Sequence, residues 1–342
     1  MKKFGILWVM GFVFFACSEK EHVNDKPPVA QIKISQTNTG FAFDGSASSD
    51  PDGNALTYEW VSSSNAITIE SANAVKATSL FPSISDPIHT AITLKVSDGL
   101  LTSTASQTIL IPSTNIAANY GLGENMTADT SNNVAYDWYL DQGNTGTCSG
   151  VNCGPTSVTM AIHWANGNFQ GTPEDARNTY WEHAGWWYTS DVINYLNAYS
   201  INNATIALTS TDVLKEKIDN GNIIVLCLDM YYVEDETEDD YHVNKFSEAD
   251  RQGWGHFIVV KGYKVVDGAT YFEAYDPYDF GQKYLDNSPK GKDRYYKASN
   301  LDVATNNWWD YAIVIQRSNE GGRVALDPRA VDPRFIQHKA GR

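Results

Sequence analysis

Between residues 29 and 111 the chain alternates apolar and polar residues in short stretches (29–34, 41–43, 56–61, 92–96 and 107–111) separated by turn residues, and beyond residue 135 that texture gives way to helical spacing and unbroken apolar runs. Period-two stretches at such intervals predict an all-β sandwich. A change of period downstream requires a second fold of a different kind. The 342 residues suffice for two domains, and 12% aromatic against 19% charged residues excludes a disordered chain. Residues 113–135 are polar and poor in periodicity, which predicts a linker.

Within the first part, Asp50-Pro51-Asp52-Gly53 leads into Leu56-Thr57-Tyr58-Glu59-Trp60, and Leu94-Lys95-Val96-Ser97-Asp98-Gly99 follows. Pro and Gly set turn dihedrals and Asp side chains cap backbone N–H groups, so the first motif is a turn; calcium held by Asp50 and Asp52 is its sharper reading. Trp60 is expected in the core. The run resembles a PKD-type immunoglobulin-like domain over residues 27–112, which implies a spacer or adhesion module.

Lys2 and Lys3 precede an uncharged apolar run over residues 4–16, shorter than the ~20 residues that span a bilayer. That is the layout of a secretory signal peptide over residues 1–17. It ends in Phe14-Phe15-Ala16-Cys17, which resembles a bacterial lipobox and implies acylation of Cys17 and a lipid anchor in the cell envelope, at the outer membrane or cell surface. The net charge is −16, and −18 once Lys2 and Lys3 leave with the leader, so 23 basic residues face 41 acidic ones. Phosphate backbones are repelled by such a chain, and nucleic acid is excluded as a partner.

Four cysteines are too few for a disulfide scaffold. Cys153 has the most informative surroundings. Asp141 through Asn152 is loop chemistry, after which Val158, Ala161, Ile162 and Ala165 recur at helical spacing. A helix therefore starts near Pro155 and ends near Gly167. A cysteine at a helix N-terminus has its thiolate stabilised by unpaired N–H groups and the helix dipole. Its base must come from elsewhere in the chain. His256 opens the strand-like run Phe257-Ile258-Val259-Val260, and a second run over 270–275 follows the turn Asp267-Gly268-Ala269 and ends at Asp276-Pro277. A two-residue turn at Asp267 and Gly268 would set Asp279 opposite His256; a bulge at Pro277 would bring Asp276 there instead. Asp276 and Asp279 are rival orienters of the imidazole.

Cys-Gly-Pro-Thr-Ser at a helix start, Gly-His-Phe-Ile-Val-Val-Lys-Gly-Tyr on a strand and a strand ending in Asp-Pro together resemble the papain-clan peptidases that process bacteriocin leaders and their stand-alone relatives, over residues 136–316. The resemblance implies an α+β papain-like domain (136–317) behind the sandwich. It further implies Cys153 as nucleophile, His256 as base and then acid, Asp276 as orienter, and Gln142 with the Cys153 N–H as oxyanion hole. The substrate would be a peptide or protein, with no cofactor and no metal. Amidases and transglutaminases acting on cell-wall peptides use the same apparatus, and a non-catalytic adhesin working through the sandwich is the third class.

Other residues carry plainer expectations. His163 belongs to the surface or packing of the Cys153 helix, and His183 to packing around a second helix over 190–198. Trp254 and the pair Trp308-Trp309 are equally cleft walls or packing residues. Cys227, inside Ile223-Ile224-Val225-Leu226-Cys227-Leu228, reads as a buried thiol on a strand; a bridge to Cys148 is open, as is one from Cys148 to Cys153. The acidic run over 234–240 reads as a solvated loop, with selection of basic peptides or calcium as alternatives. Residues 318–342 form a tail without apolar period.

Overall fold

The computed structural model describes residues 25–179, 185–285 and 287–317. The leader with Cys17, His183 and the tail from 318 lie outside the described residues. In the N-terminal part, β1 (Lys33–Gln36), β2 (Gly40–Asp44) and β4 (Lys76–Leu80) form one antiparallel sheet, and β3 (Thr57–Ser62), β5 (Ile88–Ser97) and β6 (Thr102–Ile111) form another. Their alternating apolar residues share one core of Phe41, Phe43, Trp60, Ile92, Leu94 and Ile111. Trp60 is buried there, its indole donating to Ala74 O at 3.0 Å. Asp50 Oδ1 accepts the N–H groups of Asp52 and Asn54 at 2.9 Å each, and Gly53 takes φ +81°, so the Asp-Pro-Asp-Gly run is a capped turn.

Residues 113–135 correct the linker expectation. They carry the short helix α1 (Ile116–Asn119) and the strand β7 (Met126–Ser131), which pairs with the second half of β10 (Gly255–Val266). β7 was hidden because its six residues are mostly polar and alternately exposed, as suits an edge strand.

The C-terminal part is built on a seven-stranded sheet. Its order is β12 (Arg294–Lys297), β11 (Ala269–Tyr275), β10, β9 (Ile223–Asp229), β13 (Tyr311–Ile315), β8 (Asn203–Ala207), with β7 beside β10. Side-chain parity sorts β9 between two cores: Ile223, Val225 and Cys227 enter one, Ile224, Leu226 and Leu228 the other. That is why β9 reads as an unbroken apolar run: both faces are covered. On the first face lie α2 (Cys153–Ala165), α3 (Pro173–Thr179) and α4 (Thr189–Ala198); on the second lie α5 (Asp212–Asp219) and α6 (Ala298–Asn306). α2 buries every residue except His163, whose ring packs on Phe169 and whose Nε2 meets Gly171 O at 3.3 Å. Among the described residues no helix is long and apolar enough to cross a membrane.

The acidic run is only partly solvated. Glu236 turns inward between Lys290, at 2.8 Å, and the fully buried Arg294, at 2.6 Å, while Asp240 contacts His89 on β5 and so ties the two parts together.

Candidate active site

β10 and β11 turn on Asp267 and Gly268 and keep the expected register from Val266↔Ala269 to Gly262↔Glu273. There it slips by one residue, and Val260 pairs with Ala274. The extra residue is Lys261, so the bulge lies on β10 and not at Pro277 as expected. The Lys261 ammonium is fully buried between Glu273, at 2.6 Å, and Asp293, at 2.8 Å, which fixes the bulge in place. Gly262 follows because a Cβ there would lie 2.5 Å from Thr130 O on the neighbouring β7.

β11 then ends at Tyr275, and the chain turns so that Asp276 Oδ1 meets His256 Nε2 at 2.7 Å. Both side chains are buried. Asp276 is held from three further directions: its N–H donates to Gly291 O at 2.8 Å, its Oδ1 accepts the Tyr278 N–H at 2.9 Å, and its Oδ2 accepts the Tyr296 hydroxyl. Burial alone would raise its pKa, yet the His256 charge and these donors hold it below the usual carboxylate value. Asp279 is not brought to the imidazole. Tyr139 donates to its Oδ2 at 3.2 Å, and burial together with the nearby Asp141 carboxylate pushes it up to about 6.

Cys153 is the first residue of α2, two before Pro155, and is buried. Ser157, one turn on, donates to Phe257 O at 3.2 Å and so pins the helix to the strand that carries His256. Cys153 is close enough to His256 to raise the basicity of its imidazole; since Nε2 is taken by Asp276, Nδ1 is the ring atom left to face the sulfur. Burial lowers the basicity of His256, but the Asp276 carboxylate and the neighbouring Cys153 outweigh it and push the imidazole up to about 10. The ring is therefore an imidazolium at neutral pH.

Gln142, buried in a short 3₁₀ turn, takes Pro277 O through its N–H at 2.8 Å and donates its Nε2 to Ser149 O at 3.0 Å. It thus links the Asp276 turn to the loop that enters α2. The described cysteines Cys148, Cys153 and Cys227 are unbridged thiols. Cys227 lies on the Cys153 face of β9, where burial pushes its thiol well above the ordinary value.

Sequence reasoning missed three residues. Arg177 on α3 is buried, donating from Nε to Asn152 Oδ1 at 2.7 Å and from its amino groups to Val151 O and Gly185 O at 3.0 Å each. Asn152, wholly buried, returns donors to Thr145 O and Oγ1. Together they rigidify the two residues before Cys153. The third is Tyr296, at an alternating position of β12 with no local mark of its contact with Asp276. Tyr296→Phe is expected to cost ~1.5–3 kcal/mol, the usual worth of a hydrogen bond to a charged group. A urea-unfolding midpoint equal to that of the parent, at equal slope, would show that the hydroxyl contributes nothing.

Among the described residues no three histidine, cysteine, aspartate or glutamate side chains converge as metal ligands. The arrangement brings a thiol, an imidazole and a carboxylate together, a set of groups that can carry out acyl transfer.

The family model described as Peptidase_C39 like family matches residues 132–303. Among solved structures, the chain is similar to a putative C39-like peptidase from Bacillus anthracis, at 12% identity and a TM-score of 0.38, over 56% of this chain and 98% of that one. It is also similar to a nucleoside hydrolase-related hypothetical protein from Saccharophagus degradans that is associated with carbohydrate metabolism, at 23% identity and a TM-score of 0.22 over 26% of each chain. The chain thus spans about a quarter of the length of that protein. No curated protein matches the chain.

Proposed function

The chain belongs to the C39-like peptidase family, and on that premise we propose that it is a thiol peptidase working through Cys153, His256 and Asp276. One observation carries the reading: an imidazole fixed by a buried carboxylate at 2.7 Å lies beside the cysteine that starts a helix, near enough for that cysteine to raise its basicity. In this reading His256 holds the proton that the Cys153 sulfur gives up as it attacks. The sulfur attacks the scissile carbonyl carbon, and the oxyanion is received by the Cys153 N–H and by Gln142. Gln142 gives one amide hydrogen to Ser149 O and keeps a second for this purpose. His256 passes its Nδ1 proton to the leaving amine, the thioester forms, and water activated by the same imidazole releases the acid. Asp276 keeps the ring oriented and its charge balanced.

We further assign residues 27–112 to a PKD-type immunoglobulin-like module, supported by the two sheets around Trp60, and Cys17 to lipid attachment on an exported chain. The peptidase unit is then held at the cell envelope with the module between it and the membrane.

The test is alkylation of the mature protein by iodoacetamide at pH 7 under reducing conditions, with the modified residue located by mass spectrometry. Cys153 is expected to react at least tenfold faster than Cys148, the half-exposed thiol. Equal rates at the two cysteines would sink the peptidase reading. Product analysis on a peptide then separates hydrolysis from acyl transfer to an amine.

A further inference from the structure

Beside Cys153 and His256 lies a cavity of about 200 Å³, walled by Trp186, Trp187, Cys227, Gly255, Phe257 and Trp308. Its walls rest on the immediate neighbours of both reactive residues. Trp187 sits against Gly154, where a Cβ would come within 2.8 Å of the Trp187 Cβ, so the residue after the nucleophile must be this small. The Trp308 indole lies against Gly255, the residue before His256, where a Cβ would come within 2.4 Å of the ring. Two glycines thus admit two indoles to the flanks of the pair. Trp254 has no part in this: it packs against the opposite core.

We propose that this cavity receives a large apolar side chain, aromatic by preference, of the peptide being cleaved, one or two residues from the scissile bond. The proposal rests on the thiol-peptidase reading, whose substrate class it names.

Size, chemistry and access all support that occupant. A dry apolar cavity of roughly 150 Å³ takes one benzene-sized group, so this one admits a single phenylalanine-like side chain. Four indoles (Trp186, Trp187, Trp308 and Trp309), the Tyr188 phenol and the Phe257 ring offer offset and edge-on partners to an incoming ring. Among the described residues no lysine, arginine, histidine, aspartate or glutamate lines the cavity, so a charged side chain would lose its water without gaining a partner there. The Cys227 thiol at the wall is buried, which raises its pKa well above the ordinary value and keeps it neutral. Trp186 is 53% exposed and forms a rim over which the side chain can pass.

The experiment uses the mature full-length chain and a series of N-acyl aminoacyl chloromethyl ketones bearing Gly, Leu, Phe, Lys or Glu, with the rate of Cys153 alkylation measured by mass spectrometry. Burial of a Leu or Phe side chain is expected to speed alkylation about tenfold or more over Gly, with Lys and Glu no faster than Gly. Trp186→Ala, which removes an exposed wall, and Cys227→Leu, which fills the cavity, are expected to bring the Phe:Gly ratio below about threefold. Iodoacetamide, too small to need the cavity, should alkylate all three proteins alike. A flat series, or a Phe preference that survives both substitutions, overturns the proposal while the peptidase reading stands. If no reagent modifies Cys153, the peptidase reading falls instead, and tryptophan fluorescence still decides the cavity. N-acetyl-phenylalaninamide must then shift the emission of the parent more than of Trp186→Ala, and N-acetyl-lysinamide must shift neither; any other pattern overturns the proposal.

Discussion

Replacing His256 with alanine is expected to lower kcat/KM on a cleavable peptide by on the order of 10⁴- to 10⁶-fold, as removal of the base does in enzymes whose catalytic residues act as a unit. Two jobs disappear at once. In the proposed mechanism the imidazolium beside the sulfur favours the anion that attacks, and its proton is the one the leaving amine needs. Alkylation of the variant's Cys153 should be slow at pH 7 and recover as pH rises through the ordinary thiol range near 8.5. Such recovery would separate loss of activation from loss of fold. Stability falls as well, because Asp276 stays buried while the cation 2.7 Å away is gone. Breaking a buried pair typically costs about 3–5 kcal/mol, a drop of roughly 10 °C in Tm for a domain of this size. His256→Gln retains a donor for Asp276 and should recover part of that stability without recovering activity. Equal catalytic losses in two variants of unequal stability would place the effect in the chemistry. Turnover in either within tenfold of the parent would exclude His256 from the reaction.

The hairpin that carries His256 shows where the sequence was legible and where it was not. Asp267-Gly268 announces a tight turn, and Gly268 takes φ +77°. The register near the turn therefore followed from the sequence. What decided between Asp276 and Asp279 was one extra residue at Lys261, six residues before the turn. Gly262, a glycine inside a strand pattern, was the local sign of a bulge, and Pro277, which cannot donate to a ladder, was a competing one. A buried lysine held by two carboxylates leaves no local mark, since Glu273 and Asp293 are 12 and 32 residues distant. Arg177 was hidden for the same reason: it serves backbone carbonyls of the Cys153 loop from a separate helix. The Cys153 helix was legible because a helix start is a local event, although it begins two residues before Pro155. β7 was missed through composition: a polar edge strand reads as loop until its partner, β10, is known.

Asp276→Asn is expected to reduce turnover at neutral pH by about 10⁴-fold, the loss seen when the orienting carboxylate of a catalytic triad becomes an amide. The larger lesson is in the pH dependence. In the parent, burial draws the His256 pKa down while Asp276 and Cys153 drive it up, with the result near 10. Without the carboxylate, burial dominates, and the midpoint should fall to the ordinary 6.5 or below. An NMR titration of the His256 ring, assigned by difference from His256→Ala, reads this directly; an unchanged midpoint would mean that Asp276 does not govern the imidazole. The sign of the stability effect follows from the same shifts. His256 is more basic in the folded than in the unfolded chain, so its contribution is whole below about 6.5 and is lost as pH rises through 10. Asp276 is more acidic when folded, so its contribution is present above about 3.9 and is lost as pH falls through its folded value. Between pH 7 and 9 the folded parent keeps a proton that the unfolded chain releases, and its unfolding free energy should drop by on the order of 2 kcal/mol more than that of Asp276→Asn. Urea unfolding at pH 5, 7 and 9 measures the difference, and parallel slopes for the two proteins would show that the pair contributes nothing to the fold it sits in.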